Sequence, residues 1–150
     1  AGDRLDEAIL VLKDLGPLAK LASLDIVRLL EEPGRVDSGI AIEALGRIGD
    51  TTVAHRILPF LRDTLHVRAV VAGAMASFGY QDAIPLIEKA LPDAETVKVE
   101  DAHHVYAMLQ ALHDLGSEET PRFTRSYLQV PTMRHLHNLL EPFLEGRNIE

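Results

Sequence analysis

The chain has no cysteine and no tryptophan, and aromatic residues make up only 5% of it. The lack of cysteine excludes disulfides, thiolate metal sites and cysteine nucleophiles, and it fits a reducing compartment. No apolar run approaches the roughly 20 residues that a membrane-spanning helix needs, and no basic, apolar leader opens the chain. We therefore expect a cytoplasmic protein that does not engage a membrane.

The chain also has few positive charges: it contains 15 lysine and arginine residues and 23 aspartates and glutamates, which gives a net charge of −8. Affinity for nucleic acid comes largely from basic side chains that replace counterions on phosphates, so general nucleic-acid binding is not expected. Two groups of arginines leave two interpretations open, solvated side chains or a local basic groove: Arg56, Arg62 and Arg68 around the second predicted helix pair, and Arg122 and Arg125 on the second helix of the fourth pair.

No strand pattern of any length is present, whereas apolar residues make up 47% of the 150 residues. A chain of this size forms one domain with a real core, filled here by aliphatic side chains. The fold class predicted is all-α. The chain enters its first apolar helix almost at once, with no polar capping unit, which is typical of a fragment of a longer protein.

One pattern occurs four times: an apolar helix that stops at a glycine. The glycines are Gly16, Gly49, Gly79 and Gly116, separated by 33, 30 and 37 residues. Self-similarity at this period indicates a stacked helical array, in which each unit is a helix, a tight turn and a second helix. We place the repeats at about 3–33, 36–65, 67–91 and 101–129, followed by a closing helix at about 132–145.

The four helices can be superimposed by counting back from each glycine. Apolar residues recur one, four, five and eight positions back, which is one stripe of a helix with 3.6 residues per turn. A helix that ends at glycine commonly does so because the next residue adopts a left-handed conformation. The residues four positions back, which we expect to share one core, are Leu12, Leu45, Met75 and Leu112.

Polar residues that can cap the next helix follow three of the glycines, at Asp50, Asp82 and Ser117. The second helices are predicted at Ala54–Leu65, Ala83–Leu91 and Arg122–Leu128, with Pro85 and Pro121 in first turns. Pro59 would kink the first of them if that helix were unbroken. In the first repeat, Pro17 opens a stretch to Leu30 with a break expected at 23–25.

Two segments resemble a known family. EALGRIGD (Glu43–Asp50) and VRAVVAGAMASFGYQDAIPLIEKAL (Val67–Leu91) are similar to the short HEAT-like repeats of the phycobilisome bilin lyase type. The resemblance implies a right-handed superhelix of antiparallel helix pairs, an αα-superhelix, with the second helices on its concave side. It also implies a family that mostly binds proteins.

The resemblance brings two enzymatic alternatives. A relative of deoxyhypusine hydroxylase would need His-Glu pairs to hold iron, and the chain has no such dipeptide, so this alternative is excluded. A subunit of an enzyme resembling a bilin (chromophore) lyase stays open. The chain has no nucleophile turn and no phosphate-binding glycine loop, so we predict a non-catalytic protein without cofactor.

Five of the seven histidines come after residue 100. A polar stripe runs along the first helix of the fourth repeat. It consists of His103, Tyr106, Gln110 and His113. His103 and His113 lie about 15 Å apart along a helix, so one ion cannot bind both. Histidines that are one or two positions apart in the sequence point to different sides of a helix, so such a pair also cannot bind one ion. We therefore expect a hydrogen-bonding or solvated stripe and no metal site.

Two departures from the repeat are candidate interaction sites. The insertion 91–101 is acidic and too long for a repeat turn, and it is either a binding element or a solvated loop. The closing helix carries an apolar stripe that either completes the core or docks another domain; its residues are Met133, Leu136, Leu139, Leu140 and Phe143.

The sequence thus predicts a protein-binding scaffold or regulatory module that uses the concave surface of a repeat array. Its partner is expected to be a protein. The residues predicted to bind that partner project from the second helices and from the late polar stripe: His55, Arg62, Glu88, His103, Tyr106, Arg122, Arg125 and Tyr127.

Overall fold

The computed structural model describes residues 2–145, and every regular element in that range is helical. The all-α fold class is therefore confirmed. Residue 1 and residues 146–150 of the predicted domain lie outside the described range. The α-helices are α1 (Gly2–Leu15), α2 (Ser23–Glu31), α3 (Ser38–Ile48), α4 (Ala54–Ile57), α5 (Leu65–Phe78), α6 (Ile84–Ala90), α7 (Ala102–Leu115), α8 (Thr120–Leu128) and α9 (His137–Leu140).

Short 3-10 segments connect or extend these helices. Across residues 2–145, no α-helix or 3-10 helix is long and apolar enough to cross a membrane. The 3-10 segments are Gly16–Ala22, Thr51–Val53, Leu58–Arg62, Gln81–Ala83, Ala94–Thr96, Val99–Asp101, Pro131–Leu136 and Glu141–Leu144.

The predicted glycine stops are confirmed. Gly49, Gly79 and Gly116 follow α3, α5 and α7 directly, in left-handed conformation with φ of 76°, 64° and 88°. Gly16 has φ of 54° and opens the 3-10 segment after α1. A side chain on the β-carbon disfavours this backbone region, so glycine is the residue that ends these helices at low cost.

One of the three predicted caps is present, at Asp50. The Asp50 carboxylate accepts hydrogen bonds from the Thr52 backbone N–H (3.1 Å) and hydroxyl (2.6 Å). The bond from the Thr52 hydroxyl is the main reason that the pKa of Asp50 is lowered. Ser117 Oγ accepts from the Glu119 N–H at 3.3 Å within the turn before α8, but the residue that directly precedes α8 is Glu119 and the helix has no side-chain cap, so the prediction of a Ser117 cap is wrong. The prediction for Asp82 is wrong, because this residue lies inside the 3-10 turn Gln81–Ala83, which has no side-chain cap.

The helices that end at the glycines form a first row, α1, α3, α5 and α7, in which each helix packs on the next in chain order. The approach of α3 to α5 is close, since a β-carbon on Gly46 would lie 3.1 Å from the Ala74 Cα. Leu45, Met75 and Leu112 are fully buried in one core cluster, as expected from their shared position in the pattern.

The second row consists of α2, α4, α6 and α8, and its neighbouring α-helices pack on one another less extensively. The prediction of a helix from Ala54 to Leu65 is wrong beyond Ile57. Pro59 lacks a backbone N–H, and the chain continues as the 3-10 segment Leu58–Arg62. In the first repeat, the break expected near Ser23 is confirmed, since a 3-10 segment changes there to α2.

A second core cluster joins the insertion, α7, α8 and the residues after Pro131. Val97 of the insertion is buried in it. The closing helix predicted at 132–145, with an interruption at Pro142, is only partly present, because the segment is a 3-10 helix, the short α9 and another 3-10 helix, with Pro131 and Pro142 in the first turns of the two 3-10 parts. We call residues 131–144 the closing segment.

Of the predicted apolar stripe on the closing segment, three residues complete this second cluster: Met133, Leu140 and Phe143. Leu136 packs partly buried against the same cluster, and Leu139 is exposed. The stripe is therefore mostly core.

Candidate functional site

An open groove of about 450 Å³ crosses the middle of the first row, over α5 between α3 and α7. Small residues form its floor: Gly46, Ala69, Gly73, Ala74, Ser77 and Ala107. Because these side chains are short, the helices come close together without filling the space above them. We call this depression the α5 groove.

Polar side chains surround the floor. Glu43 and Arg47 of α3 lie at one side, and Glu43 is paired with Lys13 of α1 at 3.7 Å. His66 from the first turn of α5, whose ring lies close to Gly39 of α3, and His103 and His104 from the first turn of α7 also line the groove. A depression with an apolar floor and a few convergent polar groups is the usual form of a binding site.

The three histidines form a ring cluster. The centroids of His103 and His104 are 3.8 Å apart, with the rings tilted by 43°. His66 meets His104 edge-on, with 5.1 Å between centroids. Two adjacent first-row helices thus contribute imidazoles to the α5 groove.

The electrostatics of the cluster favour a neutral His104. Burial lowers the pKa of His104, and the nearby His103 and His66 lower it further, while Asp101 opposes this shift. A neutral imidazole both donates and accepts a hydrogen bond, so His104 can serve a polar ligand in either role. Throughout residues 2–145, no group of three or more histidines or carboxylates is arranged to hold a metal ion.

Two of the predicted partner-binding residues share a different groove. His55 and Arg62 are exposed and line a depression of about 530 Å³ in the second row, together with Leu86 and Lys89 of α6. We call it the second-row groove. Its lining carries three basic or imidazole side chains and no carboxylate.

Three other predicted residues lie on α6 and α8. Glu88 is partly buried and accepts a hydrogen bond from the Ser117 hydroxyl at 2.7 Å, so it links α6 to the turn after α7. Arg122 is paired with Glu119 and lies 4.7 Å from the centroid of the Phe123 ring. Arg125 is exposed on α8.

Tyr127 must be removed from the predicted surface. Its side chain is buried, and its hydroxyl donates a hydrogen bond to the Pro92 carbonyl oxygen. Burial is also the main reason that its pKa is raised. Because the Tyr127 side chain is buried and hydrogen-bonded within the protein, it is part of the core and is not accessible to a partner.

The late polar stripe is divided by the closing segment. Tyr106 and His113 lie against Phe143, with ring centroids 5.7 and 5.1 Å apart. Tyr106 is therefore only partly exposed, because a distant part of the chain packs against its ring. His103 stays at the α5 groove.

The sequence interpretation did not include His66, His104 or Arg47 among the candidate residues. A signal for His66 was present, because it lies 13 positions before Gly79, as His103 lies 13 before Gly116. Superimposing the repeats over that longer distance places both histidines at one position of adjacent helices. Comparisons with known proteins add no residue assignments, because no protein-family model, curated protein or solved structure matches the chain.

Proposed function

We propose that this chain is a non-catalytic protein-binding module of HEAT-like repeats, and that its α5 groove holds a short extended segment of a partner protein. The observation that carries this proposal is the α5 groove itself, which is already formed between helices that pack on one another. A preformed site loses little conformational entropy when its ligand binds.

The repeat architecture is supported by the chain-order packing of the first row and by the four left-handed glycines. First-row helices pack on one another more extensively than the second-row α-helices do, and the Gly46–Ala74 contact is one of their close approaches. A stack of hairpins curves toward its more closely packed side. We therefore place the concave surface of the superhelix on the first row, and not on the second helices as the resemblance implied.

The openness of the α5 groove favours a polypeptide over a small molecule. Small-molecule sites usually bury 70–90% of the ligand surface, which an open depression does not do. An extended segment can instead lie across α3, α5 and α7 and place one or two side chains on the small-residue floor. These three helices all contribute residues to the floor, and their number sets its length.

Charge indicates what kind of segment fits. Arg47 and the three histidines surround the floor, and the single acidic residue of the lining, Glu43, is already paired with Lys13. A carboxylate of the partner can accept hydrogen bonds from Arg47 or from imidazole N–H groups. We therefore propose that the bound segment combines small apolar residues with at least one aspartate or glutamate.

Selection of peptides from a displayed random library against the purified protein tests this function. We expect enrichment of acidic peptides whose binding weakens at least about tenfold on Gly73→Leu. A β-carbon at Gly73 meets no atom within 4 Å, so the leucine fills the groove without disturbing the helix. Arg47→Glu should shift the selected peptides away from acidic residues.

Lys89→Leu in the second-row groove is the matched control, since it introduces the same side chain at an exposed site elsewhere. It should leave peptide binding unchanged. Peptides that bind equally well to the Gly73→Leu protein would contradict the assignment of the α5 groove. The chromophore-lyase alternative stays a prediction from the resemblance, and an absorbance scan of the purified protein for a bound pigment tests it.

A further inference from the structure

The three imidazoles of the α5 groove are close enough to influence one another's protonation. The ring centroids of His103 and His104 are 3.8 Å apart, and the His66 ring lies 5.1 Å from that of His104. A proton on one of these rings opposes a proton on its neighbours, so the rings bind protons as a coupled set. We call His66, His103 and His104 the histidine cluster.

Two carboxylates flank the histidine cluster. Asp101 immediately precedes α7, and it opposes the lowering of the His104 pKa by burial and by the other two imidazoles. Asp37 precedes α3, where a β-carbon on Gly39 would lie 2.9 Å from His66 Nε2 and 3.2 Å from Asp37 Oδ1. The Asp37 carboxylate also caps α3, because it accepts a hydrogen bond from a backbone N–H of that helix at 2.9 Å. Despite these carboxylates, the pKa of His104 stays below the ordinary histidine value.

The other charged side chains on the elements next to the cluster are exposed to solvent, and one of them has an ion-pair partner. They are Arg47 of α3, Asp63 before α5, Lys98 and Glu100 before α7, and Glu43, which is paired with Lys13 of α1 at 3.7 Å. Arg68 of α5 instead donates a hydrogen bond to the Ala90 carbonyl oxygen. Burial and the neighbouring imidazoles therefore outweigh the acidic groups in setting the protonation of His104.

A partner carboxylate placed against the histidine cluster shifts this balance. Its negative charge lies within hydrogen-bond distance of an imidazole and stabilises the protonated form of that ring. A half-buried imidazole gains more from such a charge than a solvated one, because water screens the attraction less there. His104 is the least exposed ring of the cluster, so its protonation should respond most to a bound carboxylate.

We propose that the histidine cluster selects a partner carboxylate for the α5 groove and binds it together with a proton taken from solvent. The role of the cluster rests on the proposed function, since it assigns regulation by pH to the same groove. Arg47 also attracts a carboxylate, but its guanidinium stays charged at every physiological pH and cannot make binding depend on pH.

Proton linkage gives the direction of the effect. The pKa of His104 is lowered in the free chain, mainly by burial, and a bound carboxylate raises it. Between those two values the complex binds more protons than the free chain, so affinity increases as the pH falls. The partner's own carboxylate loses its charge only near its ordinary pKa of about 4, which leaves the range above about pH 5.5 unaffected.

Calorimetric titration with the acidic peptides selected against the purified protein tests the proposal. We expect the affinity to rise at least about fivefold from about pH 8 to about pH 5.5. Buffers of different ionisation enthalpy should show net proton uptake on binding. The same peptides with asparagine or glutamine at the acidic positions are the control, and they should bind without proton uptake. Salt at about 0.15 M screens charges beyond about 8 Å, so titration of distant groups contributes little.

A second arm tests the residues. His104→Gln should reduce the pH dependence, and the triple change to glutamine at all three positions of the histidine cluster should remove most of it. His55→Gln is the matched control, because it removes an exposed imidazole from the second-row groove, and it should leave the pH dependence intact. Circular dichroism at each pH checks the fold of the variants, and the calorimetric comparison of acidic and amide peptides needs only the wild-type chain.

Peptides that lose binding on Gly73→Leu, but bind the wild-type chain equally well at every pH, would overturn the role of the cluster and leave the proposed function standing. The same conclusion would follow from equal proton uptake with the amide peptides, or from an unchanged pH dependence in the folded triple variant. A selection that yields no peptide sensitive to Gly73→Leu would contradict the proposed function, and the role of the cluster would fall with it.

Discussion

The hydroxyl of Tyr127 on α8 donates a hydrogen bond to the carbonyl oxygen of Pro92, near the start of the insertion 91–101. Two residues earlier, the Ala90 carbonyl oxygen accepts a hydrogen bond from Arg68 Nη1 at 2.8 Å. Side chains from α5 and α8 thus hold the point where the chain leaves α6. The insertion is anchored to the core at its beginning as well as through the buried Val97.

Tyr127→Phe should lower the free energy of unfolding by about 1–3 kcal/mol, because the substitution leaves the Pro92 carbonyl oxygen without its donor in a part-buried site. Urea unfolding followed by circular dichroism measures this change. Hydrogen exchange of the amides in the insertion should also become faster, since the hydrogen bond anchors that segment.

Tyr106→Phe provides the control for this prediction. The Tyr106 ring packs on Phe143, and its hydroxyl has no hydrogen bond to any described residue. The substitution should change stability by no more than about 0.5 kcal/mol. Equal effects at Tyr127 and Tyr106 would mean that the bond to Pro92 contributes nothing.

Gly73→Ala and Gly46→Ala should have different effects on stability, although both glycines lie inside first-row helices. Alanine stabilises a helix interior by about 0.5–1 kcal/mol relative to glycine, and Gly73 has open space for the β-carbon. At Gly46 the β-carbon would lie 3.1 Å from the Ala74 Cα, so α3 and α5 must shift apart by a few tenths of an ångström and the gain in helix stability is reduced or lost. Thermal unfolding should therefore rank Gly73→Ala above Gly46→Ala, and the reverse order would contradict the close approach of α3 and α5.

The features of the fold that depend on residues close together in the sequence could be predicted from the sequence. The ends of α3, α5 and α7 follow from the conformational freedom of glycine, and the burial of Leu45 and Met75 follows from helical period. Both are local properties, so the pattern alone carries them. The end of the α-helix before Pro59, in the second helix of the second repeat, is also a local property that the sequence predicts.

The candidate site could not be predicted in this way, because it depends on how separate helices lie beside one another. His66 and His104 are far apart in sequence and meet only because α5 packs on α7. Tyr127 and Tyr106 were predicted on the surface from their polar groups. An aromatic ring can be buried when its hydroxyl has a partner or when a distant segment covers it, and neither condition is visible in local periodicity.

Gly79→Ala should destabilise the protein by about 1–2 kcal/mol, because alanine is disfavoured in the left-handed conformation that ends α5. A β-carbon at this position meets no atom within 4 Å, so the loss is conformational and not steric. Gly79→Asn should cost less, since asparagine tolerates this conformation better. Chemical denaturation of the two variants measures the difference, and equal losses would argue against a conformational cause.

Acidification should destabilise the wild-type chain partly through His104. Burial lowers the pKa of His104 in the folded state, and His103 and His66 lower it further, against the opposite effect of Asp101. Below the ordinary histidine pKa of about 6.5, the unfolded chain therefore binds more protons at this residue than the folded chain does. The contribution of His104 to stability is complete above that value and is lost as the pH falls toward its folded-state pKa. Melting temperatures measured from about pH 8 to about pH 5.5 should fall less steeply for His104→Gln than for wild type. Parallel curves for His104→Gln and wild type would show that protonation of this imidazole is not opposed by the fold.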